Sequence, residues 1–179
     1  MDQAAAIVQF WKKAGPERWF VRDPVFDAQF RERFLDLHLS ASRRECEEWL
    51  CTPDGVLGLM LLLDQFPRNA FRGSAHSYAT DPLARHYAMR AIEDGMDLRM
   101  ESQLRAFVYL PFEHSEDPID QERSVAMFQA LGDARSLEYA LLHQDVISRF
   151  GRFPHRNAAL GRIPTVAELE FLADGGFSA

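Results

Sequence analysis

Three polar clusters could carry chemistry. Asp64 follows the run Val56 to Leu63, the most apolar stretch of the chain. A carboxylate near a helix C-terminus opposes the macrodipole. It is either a buried acid or base, or one half of an ion pair with Arg68 or Arg72 that fixes the turn at Pro67. The second cluster is Glu113-His114-Ser115-Glu116-Asp117. Glu116 and Asp117 suit a helix start, whereas a histidine between acids has the chemistry of a general acid or base near neutral pH. The third spans Arg149 to Pro164 and holds Arg149, Arg152, His155, Arg156, Asn157 and Arg162. A connection this long without a helical pattern is a place where function concentrates, unless salt bridges simply pin it to the surface.

The elements around these clusters are helical. Apolar residues recur with a helical period almost everywhere, and no alternating strand pattern is present. Asp23-Pro24, Thr52-Pro53, Asp81-Pro82 and Asp117-Pro118 each read as a cap followed by proline. Ser42 with Glu45, and Thr165 with Glu168, read as capping boxes. Pro67 and Pro111 read as helix stops, and Gly95, Gly132 and Gly151 as C-terminal stops. The expectation is an all-α chain of about eight or nine helices in antiparallel pairs, forming one domain over residues 1–179. Helices over residues 118–131 and 136–150, joined by a short turn, run antiparallel and bring Glu113, His114 and Asp117 beside Arg149, Arg152 and His155. The acidic and basic clusters then neutralise one another, and any surplus arginine would hold a carboxylate or phosphate.

The composition narrows the function. The chain has 179 residues, a net charge of -7 and 47% hydrophobic residues, which fits a folded globular protein and disfavours nucleic acid or an anionic membrane as partner. Its 20 cationic residues include only two lysines, Lys12 and Lys13, so nearly every cation is a guanidinium suited to bidentate pairing. Codon bias explains the same skew. Cys46 and Cys51, with no export signal at the N-terminus, fit a reduced cytoplasmic protein. The run from Val56 is too short to span a bilayer. Walker, HExxH and paired CxxC motifs are absent, and no cofactor is expected. His114, His143 and His155 with Glu113 or Asp117 are the one metal alternative, at a spacing that is not diagnostic. The aromatics Phe10, Trp11, Trp19, Phe20 and Phe26 read as core rather than as a stacking platform.

These blocks together resemble a known family. Phe10-Trp11, Trp19-Phe20, Leu62 to Asn69, Pro111 to Asp117, Asp120-Gln121-Glu122, Arg149 to Asn157 and Leu160-Gly161-Arg162 are similar to bacterial domain-of-unknown-function family 924 across essentially the whole chain. The resemblance implies a tetratricopeptide-like helical superhelix and no particular activity. The expected function is binding of a small anionic ligand in an Arg/His/acid-lined groove, with possible hydrolase or lyase chemistry. Asp64, Glu113, His114 and His155 are the candidate catalytic residues. Arg68, Asn69, Arg149, Arg152, Arg156 and Asn157 are the candidate ligand contacts. The alternative is an interaction module that takes an acidic or C-terminal peptide.

Overall fold

A computed structural model describes residues 3–176, and among them every regular element is a helix. The chain forms two compact units, one comprising residues up to Arg72 with His76–Pro111, the other Gly73–Ala75 with residues from Phe112 onward.

The first unit contains α1 (Gln3–Ala14), α2 (Pro16–Trp19), α3 (Pro24–Ser42), α4 (Pro53–Met60), α5 (Phe66–Ala70), α6 (Asp81–Glu93) and most of α7 (Ser102–Glu113). Asp23 caps α3 by accepting from the N–H groups of Val25 and Phe26, and Thr52 caps α4. Both use a side-chain oxygen to satisfy donors that the first turn leaves unpaired. The core is aromatic. Trp11, Phe26, Phe30, Phe66 and Phe107 are buried, and the Trp19 indole N–H donates to the Trp11 carbonyl.

Pro67 does not end its helix. Residues Leu61–Gln65 widen into a π-helical turn, with the Phe66 N–H reaching back five residues to the Leu61 carbonyl, and α5 continues through Pro67. Proline lacks an N–H and crowds the carbonyl four residues earlier. Side chains from other elements accept the consequence: His38 Nδ1 bonds the Leu62 carbonyl at 2.8 Å, Thr80 Oγ1 donates to Leu63, and Arg68 donates to Asp64 at 2.7 Å. Pro111 likewise lies inside α7, which runs on to Glu113. The Ser42–Glu45 capping box is also absent. Ser42 ends α3 and donates back to the Leu39 carbonyl, while Glu45 pairs with Arg43.

The second unit contains the end of α7, then α8 (Pro118–Leu131), α9 (Ala134–Phe150) and α10 (Val166–Ala173). Asp117 caps α8 and Asp133 caps α9. Gly132 and Gly151 end α8 and α9 at φ 78° and 68°, a left-handed conformation that glycine adopts without steric cost. The two-residue connection folds α9 back along α8. Thr165 and Glu168 form the expected reciprocal capping box at α10.

Candidate functional site

Asp64, Arg68 and Asn69 belong to the first unit. Asp64 is fully buried, and Arg68 Nη1 lies 3.2 Å from its carboxylate. Arg68 also forms a fork with Asp81, at 2.9 and 3.0 Å. Burial works against the Arg68 charge, and the Asp64 and Asp81 carboxylates overcome it, holding the guanidinium well above its ordinary pKa. Asn69 Nδ2 donates to Asp27, which also takes Arg72. Arg68, rather than Arg72, is therefore the partner of Asp64.

The remaining candidates lie in the second unit. Gln121 Nε2 donates to the carbonyls of Glu113 and Ser115, both at 2.7 Å, and so closes the C-terminal end of α7. Ser115 Oγ donates to Asp120 at 2.7 Å. This fixes the turn carrying Glu113 and His114, both buried. From α9, His143 reaches the same place: its Nδ1 bonds the Tyr139 carbonyl at 2.8 Å and lies 3.4 Å from Glu113 Oε1. The His114 and His143 rings are 6.0 Å apart, and the ligand-capable atoms of Glu113, His114 and His143 lie within 4.8 Å of one another. Burial, with the neighbouring His114, Arg156 and His155, pushes the His143 pKa down to about 3 against the pull of the Tyr139 carbonyl. The ring is neutral at pH 7.

The basic connection meets the acidic turn through specific pairs. Arg156 lays its guanidinium 4.4 Å over the Phe153 ring and donates to the His114 carbonyl at 3.0 Å. Arg162 makes a bidentate pair with Glu116, both bonds 2.8 Å, and the Phe153 N–H donates to the same carboxylate. Burial alone would raise the Glu116 pKa, but these donors hold it below the ordinary range. The Phe153 and His155 rings are 5.6 Å apart, and Asn157 is buried. Two arginines are engaged elsewhere. Arg149 pairs with Asp145 and covers Phe150 and Phe171 in a shallow surface groove. Arg152 forks onto Glu168 at 2.6 and 2.8 Å. The structure thus gathers Glu113, His114, His155 and Arg156 and adds His143. From the sequence His143 enters only the metal alternative, although its spacing from the buried Ala140, Val146 and Ile147 puts it on the inner face of α9.

Glu168 offers a test of how the basic connection is pinned. The Arg152 fork and the Thr165 N–H lower its pKa to about 2 from the ordinary 4.5. A depressed carboxyl contributes stability that is complete above its unfolded value and lost as pH falls through the folded one. Urea unfolding of the wild type between pH 4.5 and 2 should show stability falling with acid, and Glu168→Gln should flatten that slope. Glutamine keeps one acceptor for the capping box but neither titrates nor takes the two-pronged fork, so the change in slope reports the charged pair. Equal slopes would mean that the fork contributes nothing to stability.

Residues 7–176 match the family described as "Bacterial protein of unknown function (DUF924)". A solved protein of unknown function from Agrobacterium tumefaciens shares 52% identity, with 96% of this chain and 97% of that one covered and a TM-score of 0.94. A search of curated proteins finds no significant match.

Proposed function

The chain belongs to the DUF924 family of bacterial proteins, and from that premise we propose that it binds a small anionic molecule at the second unit's buried cluster and moves a proton on it, in hydrolysis or a lyase-type abstraction. One observation carries this reading. Glu113, His114, His143, His155 and Arg156 are brought together by the end of α7, by α9 and by the connection after it, in surroundings where electrostatic interactions are strong. Arg156 supplies a planar guanidinium suited to a carboxylate or phosphate. His114 or His155 carries the proton. Asp64, Arg68 and Asn69 take no part in this reading and act as the frame of the first unit.

A thermal-shift panel of phosphate, nucleotides, mono- and dicarboxylates, amino acids and acidic peptides, run both in chelator and with added divalent metal, tests it. A ligand at a hundredfold its Kd adds about 2.7 kcal/mol, which moves the midpoint of a chain this size by roughly 5–10 °C. A small anion should give that shift in the wild type and lose it in His155→Ala and Arg156→Gln. A response confined to the peptides would replace the small-ligand reading with an interaction module, and a flat panel would overturn both.

A further inference from the structure

Resting on that reading, we infer that Glu113, His114 and His143 are the protein ligands of one divalent transition-metal ion, with a further coordination position left for the anionic ligand. The donor set is one carboxylate and two imidazoles. Three such ligands with a free position are characteristic of catalytic zinc and non-haem iron centres, while magnesium and calcium prefer all-oxygen shells.

The geometry suits a single ion. Bonds of about 2.0–2.2 Å in a tetrahedral shell put ligand atoms roughly 3.3–3.6 Å apart. The ligand-capable atoms of Glu113, His114 and His143 already lie within 4.8 Å of one another, close to that spacing. Glu113 and His114 are adjacent in sequence, and adjacent residues inside a helix diverge. They converge here because α7 ends at Glu113 and His114 stands in the turn beyond it.

The surroundings hold the ligands as metal sites require. Ligating histidines usually donate their other ring N–H to a carbonyl or carboxylate, which fixes the tautomer and the ring plane. His143 Nδ1 donates to the Tyr139 carbonyl, so Nε2 is the ring nitrogen offered to a metal. Gln121 fixes the Glu113 carbonyl and Arg156 the His114 carbonyl, so the backbone of both remaining ligands is anchored by buried side chains. All three ligands are themselves buried, at 4%, 8% and 4% exposure, unlike an adventitious surface cluster.

Equilibrium dialysis of the metal-free full chain against zinc, with no anion present, should leave one equivalent bound. Glu113→Gln and His143→Asn should each weaken binding about a hundredfold or more, since outer-shell changes alone cost 10–100-fold. His86→Ala, which removes an exposed histidine, should leave binding unchanged. Should a ligand variant fail to fold by circular dichroism, the visible spectrum of wild-type protein loaded with cobalt(II) decides. Intense low-coordinate bands support the centre, and the weak bands of the hydrated ion overturn it. Undiminished zinc affinity in folded Glu113→Gln and His143→Asn would also overturn it. Anion-induced stabilisation that persists in chelator while zinc fails to bind removes the metal and keeps the proposed function. Zinc bound at these residues with no anion response does the reverse.

Discussion

Arg68→Ala is expected to cost the protein on the order of 3–5 kcal/mol of folding stability, the largest effect of any single charge removal in the first unit. Arg68 is the common partner of Asp64 and Asp81, both buried, and it also satisfies the Asp64 carbonyl inside the π-helical turn. Truncation leaves two carboxylates out of water with their shared cation gone, and the neutral Gln65 amide that donates to Asp64 at 2.7 Å does not replace that charge. Chemical denaturation of the variant measures the loss. A triple variant, Arg68→Met with Asp64→Asn and Asp81→Asn, should recover most of it, because replacing a whole buried ion network costs far less than breaking one. A loss below about 1 kcal/mol for Arg68→Ala would show that the network is solvated in solution, as exposed pairs are.

Phe30→Ala should cost a comparable amount, about 3–5 kcal/mol, through a different cause. The Phe30 ring is fully buried, with Phe10, Trp11, Phe26, Phe34 and Phe66 all 5.1–5.7 Å away between centroids. Removing it takes away its own transfer energy and opens a void among rings that are too large to turn into the space. Edge-to-face pairs such as the one with Phe66 at 75° are lost as well. Phe30→Leu retains most of the volume and should cost clearly less. Equal losses for the two substitutions would assign the effect to ring geometry rather than to the void.

The local signals are legible at most helix ends, although Asp81, which reads as a cap, lies inside the first turn of α6 and takes Arg68 instead. Asp23, Asp117 and Thr165 cap as their positions in the sequence indicate, and Gly132 and Gly151 stop α8 and α9. Local rules failed where a distant side chain takes over a backbone group. Nothing near Pro67 shows that His38 and Thr80 will satisfy the carbonyls of Leu62 and Leu63. Ser42 and Glu45 have the spacing of a capping box, yet the serine hydroxyl bonds backward and the glutamate finds Arg43. In the second unit the meeting of acidic turn and basic connection follows from the antiparallel α8–α9 hairpin. Which acid takes which arginine does not. Arg162 chooses Glu116, and Arg152 chooses Glu168 from α10, because those choices depend on the path of residues 151–164. His143 carried a signal in its spacing along α9. A histidine on a buried face is equally consistent with plain packing, and only its approach to Glu113 sets it apart.

The π-helical turn at Leu61–Gln65 works as a phase absorber. In an α-helix each residue advances the side chains by about 100° around the axis, so one added residue turns everything beyond it onto a new face. A single π turn takes up one such addition within its own width, so the helix beyond it keeps its phase. Upstream, Val56, Leu57, Leu59 and Met60 keep their orientation in the core, while downstream Arg68 is aimed at Asp81 and Asn69 at Asp27. Chain length between Met60 and Phe66 thus carries structural information that no substitution can replace. Deleting one of its residues would close the wide turn into a regular helix and leave Arg68 and Asn69 facing Asp81 and Asp27, whereas one further residue, with no second wide turn to take it up, would rotate both away at once.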